Sequence, residues 1–248
     1  MKKILKIIGI VILVPVLAIV VLFGVLTATE YKPAQTIPLT TEGNAAGTLR
    51  SGDSLSVLTW NTGYAGLSET ADFFMDGGKG VKTQDKAQVQ ENINAFSSLI
   101  QSEDADVVFL QEVDRHSGRS YYLNEYEMIG SSMADYEAAF AQNFKVLFIP
   151  YPVPPIGQVD SGIATFSRFS AADAERIALP CPFSWPLRLG NLKRCLLVER
   201  IPLADSDKEL VLVNLHLEAY DDGEGKIEQT KILAQFLQNE YEKGNYCI

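Results

Sequence analysis

The chain has 248 residues, 47% of them hydrophobic and 10% aromatic, which is enough apolar material for a packed core and excludes a disordered chain. Its 21 basic and 31 acidic residues give a net charge of −10. That balance speaks against a protein that holds nucleic acid on a broad basic surface, because phosphate neutralisation needs clustered Lys and Arg, and three cysteines with no CxxC pair exclude a disulfide scaffold.

The only basic residues before position 30 are Lys2, Lys3 and Lys6, and the first acid is Glu30. Between them, Ile7 to Thr29 carries no charge and is mostly Ile, Val and Leu. About 20 such residues cross the ~30 Å hydrocarbon core of a bilayer, so residues 1–29 are expected to be a cytoplasmic stub and an uncleaved anchor. Pro15 is a kink that a membrane span tolerates. The rival is a cleaved signal peptide, whose apolar region is usually ~7–15 residues and ends in a small-x-small site. Leu26-Thr27-Ala28 is a poor version of that site. Lysines before the span and acids after it predict a single-pass protein of the cell membrane with the remainder on the extracytoplasmic side. Residues 30–53 hold Pro33, Pro38, Gly43, Gly47 and Gly52 with no apolar period, and read as a spacer.

A folded domain is expected over 54–248. Leu55 to Asn61 alternates apolar and polar residues and reads as a strand ending in Asn61-Thr62-Gly63. Val89, Ile93, Phe96, Leu99 and Ile100 recur at helical spacing within 85–101. Val107 to Leu110 is a short apolar run suited to a strand buried on both faces, and it stops at Gln111-Glu112. Residues 126–142 read as weakly helical, 145–149 as a strand, and 150–155 as a Pro-rich loop. Further strands are expected at 161–167, 196–201 and 210–217. Ile232, Leu233, Phe236 and Leu237 mark an amphipathic helix over 228–241. This order predicts a sheet-centred α/β or α+β domain, two packed sheets with outer helices.

The chemistry gathers at strand ends, where ligands collect in α/β sheets. Glu112 follows four apolar residues with only Gln111 between, a costly place for a carboxylate unless it caps a strand or binds a cation. Asn61 closes the first strand, although Asn-Thr-Gly is also ordinary turn chemistry. Alternation puts Asn214 and His216 on one face of their strand and Val213, Leu215 and Leu217 on the other. That polar face suits a cleft wall, and a hydrogen-bonded structural histidine suits it equally. Carboxylate and amide oxygens select a hard cation, Mg²⁺ or Mn²⁺, over zinc. The residues thus lean towards metal-assisted phosphoester hydrolysis. Cys181 and Cys195 lie 14 positions apart, and a disulfide or two buried thiols fit them alike.

Four motifs in order carry a resemblance: Leu58-Thr59-Trp60-Asn61, Val108-Phe109-Leu110-Gln111-Glu112-Val113, Ser161-Gly162-Ile163-Ala164-Thr165-Phe166-Ser167-Arg168 and Val213-Asn214-Leu215-His216-Leu217. Together they resemble the endonuclease/exonuclease/phosphatase superfamily, from about Ser54 to the last residue. The resemblance implies a four-layer α/β sandwich of two mostly antiparallel sheets with outer helices. It implies Asn61 and Glu112 as metal ligands for Mg²⁺ or Mn²⁺, and His216, with Asn214 of the same Asn-x-His-Leu strand, as the catalytic pair beside the phosphate. Tyr121 and Arg194 match loosely the positions that contact substrate. Asp160, just before the Ser-Gly-Ile strand, carries no assigned role. The implied substrate is a phosphoester: a lipid headgroup, a small phosphoester or nucleic acid. The acidic surface and the bilayer tether favour the first two.

Relatives also carry Gly-Asp-x-Asn and Ser-Asp-His motifs, which this sequence lacks; it stops at Asn245-Tyr246-Cys247-Ile248 where the first should follow. The expectation is therefore a C-terminally incomplete sandwich. The alternative to an enzyme is a non-catalytic, surface-displayed binding module of the same fold.

Overall fold

In a computed structural model that describes residues 2–68, 71–74, 77–82 and 85–248, the chain forms four helices and ten strands among the described residues. In order they are α1 (Lys2–Ala28), β1 (Thr36–Pro38), β2 (Glu42–Gly43), β3 (Val57–Asn61), α2 (Lys86–Glu103), β4 (Val107–Asp114), α3 (Glu125–Gly130), β5 (Glu137–Ile149), β6 (Gly157–Ser167), β7 (Asp173–Ala178), β8 (Cys195–Pro202), β9 (Glu209–Leu215), α4 (Glu224–Lys243) and β10 (Tyr246–Cys247).

Period-two alternation sets the layers. On β4, Val108 and Leu110 meet Val89, Ile93 and Ile100 of α2, whereas Val107 and Phe109 meet Ile201, Leu210 and Leu212 of the other sheet. On β8 and β9, Leu196, Val198, Val211 and Val213 pack under Ile232, Leu233, Phe236 and Leu237 of α4. The inward residues of β8, Cys195 and Leu197, contact Ala139, Ala141 and Ile163. The result is helix, sheet, sheet, helix, the expected four-layer sandwich. One sheet runs β2-β5-β6-β4-β3 and the other β1-β7-β8-β9-β10. Neighbours are antiparallel except for the parallel pairs β3–β4 and β9–β10.

Two expectations need correction, and one open alternative is decided. Residues 126–142 are helical only in α3, and β5 begins at Glu137. Alanines there suggest a helix, but pairing with β6 from Glu137↔Ser167 onward decides the conformation. Residues 30–53 are not a free spacer. β1 pairs antiparallel with β7, β2 pairs with β5, Gly47 bridges Phe169, and Leu49 is buried. Of the two alternatives for Cys181 and Cys195, the structure has free thiols, Cys195 buried and Cys181 half-buried, and burial pushes the Cys195 thiol up to about 11.

The end of α1 is docked on the domain. Leu26 is buried with Phe144, Val146, Val159 and Leu189, Phe23 lies 5.9 Å from the Trp185 ring, and Trp185 Nε1 donates to Thr27 Oγ1 at 3.2 Å. Immediately beyond, Glu30 pairs with Arg188 at 3.1 Å and Lys193 at 3.4 Å. Burial works against the Glu30 carboxylate, but these cations hold its pKa below the ordinary value.

Candidate active site

The strand β4 does not run straight to its end. Its register against β6 slips between Leu110 and Val113, and Glu112 takes a positive φ of 57°. A non-glycine residue pays of order 1 kcal/mol for that conformation. The bulge lets Glu112 line a cavity while Val113 returns to the core at 0% exposure. The turn after β3 is stitched to the bulge: Thr62 N donates to Gln111 O at 2.9 Å, and Thr62 Oγ1 lies 3.1 and 3.2 Å from the carbonyls of Gln111 and Glu112.

Asn61 meets Glu112 directly. Its Nδ2 donates to Glu112 Oε1 at 2.8 Å while its Oδ1 accepts from the Gly63 N–H at 3.0 Å. His216 arrives from the opposite sheet, just past β9, with Nε2 3.8 Å from the same Glu112 oxygen. Burial and then the Arg194 charge lower the His216 pKa, while Glu112 and Glu218 push it up less. Its Nδ1 is buried with no hydrogen-bond partner among the described residues. Arg194 holds the chain here: Nη1 donates to His216 O at 2.9 Å, and Nε and Nη2 grip Glu218 at 3.0 and 3.3 Å.

The structure therefore brings together Asn61, Glu112, His216 and Arg194. The other two predicted residues stand apart. Asn214 is 1% exposed and lies between the sheets; its Nδ2 donates to Leu110 O and Ala164 O, and its Oδ1 accepts from Gln111 at 2.8 Å. The alternation was read correctly, but the polar face at Asn214 fills the sheet interface and only at His216 reaches the cavity. Tyr121 packs on the α2 and α3 core beside the Lys82 ammonium, 4.6 Å from its ring, and does not line the cavity. Asp160 lies in a second, polar cavity and accepts from Gln142.

Sequence reasoning missed the support under Glu112. Asp114 takes two bonds from Arg119, at 3.1 and 2.8 Å, and one from Ser120 at 2.9 Å. The Arg119 guanidinium sits 4.0 Å from the centre of the Tyr64 ring. Glu125 accepts the Asp114 N–H at 2.8 Å, and burial together with the Asp114 charge pushes its carboxyl up to about 8. The legible signal was an acid directly after the Glu112 motif with an arginine five residues on. The cavity itself encloses about 410 Å³ and is walled chiefly by apolar side chains.

A family model described as "Endonuclease/Exonuclease/phosphatase family" matches residues 58–238. No curated protein matches the sequence. Among solved structures, an endonuclease/exonuclease/phosphatase from Beutenbergia cavernae DSM 12333 matches with 21% identity and a TM-score of 0.52, covering 73% of this chain and 43% of that one. The human Nocturnin catalytic domain with bound sulfate matches with 18% identity and a TM-score of 0.46, covering 81% and 61%. An endonuclease/exonuclease/phosphatase family protein from Leptotrichia buccalis C-1013-b matches with 16% identity and a TM-score of 0.47, covering 75% and 63%. The chain thus spans less than two thirds of the length of each of these structures.

Proposed function

The chain belongs to the endonuclease/exonuclease/phosphatase family, and from that premise we propose that it is a divalent-metal-dependent phosphoester hydrolase held to a membrane by α1. The observation that carries the reading is the chain of contacts from Asn61 to Glu112 and from Glu112 to His216, across both sheets, with Glu112 and His216 lining one cavity.

The donor set fits a hard cation. Glu112 offers a carboxylate and Asn61 a carboxamide, and Mg²⁺ or Mn²⁺ takes one or two carboxylates while keeping waters and substrate oxygens. Among the described residues no group of three or more His, Cys, Asp or Glu could hold a metal, so such an ion would rest on Glu112 and Asn61 with waters and substrate oxygens completing its shell. Bound there, the cation supplies Lewis-acid stabilisation of charge on the phosphate. His216, kept neutral by burial, donates a hydrogen bond from Nε2 to a phosphate oxygen. Arg194 orients His216 through its carbonyl rather than touching substrate, since Glu218 already occupies its guanidinium. α1 is long and apolar enough to cross a membrane, with none of its most apolar window buried. Its three lysines support an extracytoplasmic domain.

A second reading, a non-catalytic binding module of the same fold, is favoured because Glu112 is the one lining carboxylate among the described residues without an arginine partner, Glu218 being paired with Arg194. The deciding experiment measures hydrolysis of bis(4-nitrophenyl) phosphate and 4-nitrophenyl phosphate by the full chain across a Mg²⁺ titration. We expect Glu112→Gln to lower kcat/KM by about 100-fold at limiting Mg²⁺, with partial recovery as Mg²⁺ rises. His216→Ala lowers kcat, and added metal does not restore it. Metal binding without turnover selects the binding module, and undiminished rates in both variants refute the site.

A further inference from the structure

The cavity lined by Glu112 and His216 also has the end of α1 in its wall. Phe23 and Leu26 of α1 line it, and Phe144, Val146, Leu189 and Leu192 continue the same apolar surface. Its rim carries large apolar side chains with no cover. Phe148, Tyr151 and Leu187 line the cavity at 38%, 69% and 65% exposure, and Val153 and Trp185 beside them stand at 87% and 52%. A water-facing domain rarely collects such residues on one patch. Here they surround the end of a helix suited to a bilayer, where Trp and Tyr favour the headgroup level. The pocket is far more apolar than a phosphate and a cation require. Among the described residues its charged lining is Glu112, Arg119, Arg194 and Glu218, and Arg119 and Arg194 are already paired with Asp114 and Glu218.

We propose that this cavity is a hydrocarbon-chain subsite: it takes one apolar chain of a membrane phosphoester, drawn from the leaflet that the end of α1 reaches, and presents the phosphate to Glu112 and His216. The anchor is then a wall of the substrate site as well as a tether. The inference rests on the phosphoesterase reading for what happens to the phosphate, but the chain subsite can be tested without turnover.

The test places the full chain in phosphatidylcholine nanodiscs without divalent metal and adds hexadecyl phosphate carrying a diazirine at the chain end. After irradiation, labelled peptides are identified by mass spectrometry. The subsite predicts labelling within residues 144–149 and 187–192. Excess unlabelled hexadecyl phosphate should suppress it and methyl phosphate should not, because the chain supplies the contact. Leu187→Asp, at a position exposed enough to be tolerated in folding, should lower the yield about tenfold. Labelling confined to residues 2–21, or labelling that hexadecyl phosphate does not compete, overturns the subsite. Methyl and alkyl esters hydrolysed with equal kcat/KM, with no cavity label, would retain the phosphoesterase reading and reject the chain. Cavity labelling without any Mg²⁺-dependent hydrolysis would do the reverse.

Discussion

Asn214 and His216 sit two residues apart in one motif and have opposite consequences. Asn214 gives and accepts three buried hydrogen bonds that join β9 to β4 and β6. Leaving Gln111, Leu110 O and Ala164 O without that partner costs about 2–4 kcal/mol by the usual penalty for buried unpaired groups. We therefore expect Asn214→Ala to lower the melting temperature, with any phosphoesterase activity following the folded fraction, as circular dichroism melts beside rate measurements would show. His216→Ala should leave the melt almost unchanged. Equal loss of stability in both variants would return His216 to a structural role. Glu112 was legible because a carboxylate after four buried residues is expensive without a purpose. The positive φ that aims it was not legible, because a bulge depends on the partner strand and leaves no local residue pattern.

At the scale of elements, strands with clean alternation were read to within a few residues. β7 and the start of β5 were not. Asp173–Ala178 has the composition of a helix, Asp-Ala-Glu-Arg-Ile-Ala, and becomes a strand because β8 and β1 pair with it on either side. α4 was legible from its apolar stripe, but the ion cluster fixing its end was not. There Arg200 of β8 binds Glu240 at 2.8 and 3.1 Å, and Lys243 and Asn245 add bonds of 2.8 and 2.7 Å. The Arg200 hydrogen bonds, outweighing burial, bring Glu240 down to about 2. Because its folded pKa lies below the ordinary carboxylate value, the stabilisation is fully present above pH ~4.5 and is lost as pH falls towards ~2. Glu240→Gln should cost about 1.5–3 kcal/mol at neutral pH, the range for a charge-assisted hydrogen bond, and should flatten the acid limb of the stability profile. Urea unfolding at pH 7, 4 and 3 measures this; an unchanged acid limb would mean that Glu240 does not hold α4 in solution.

For the whole molecule, the segment between helix and domain changes the picture most. A Pro- and Gly-containing stretch without apolar period reads as a spacer, yet its β1 and β2 lie along one edge of each sheet and Glu30 is locked by Arg188 and Lys193. Long-range pairing of two- and three-residue strands has no signature in local sequence. With α1 in a bilayer, as proposed, the consequence would be a domain seated close to the membrane in one orientation. The two tryptophans report it separately, since Trp60 packs on Phe96 under α2 and Trp185 lies beside Phe23 at the end of α1. In vesicles with a nitroxide at the lipid headgroup, the full chain should show tryptophan quenching that Trp185→Phe removes and Trp60→Phe leaves. No quenching would place the domain away from the surface, and equal quenching of both would reject this orientation.

The most direct test of the central claim, that Glu112 and Asn61 hold a hard cation beside His216, is a Mn²⁺ titration of the full chain followed by electron paramagnetic resonance. The account predicts one bound Mn²⁺ that Mg²⁺ displaces, weakened about tenfold or more by Glu112→Gln, which removes the attracting charge at constant volume. Asn61→Ala should weaken it less, and His216→Ala should leave it nearly unchanged. Mn²⁺ affinity that is the same with and without the Glu112 carboxylate would contradict the account.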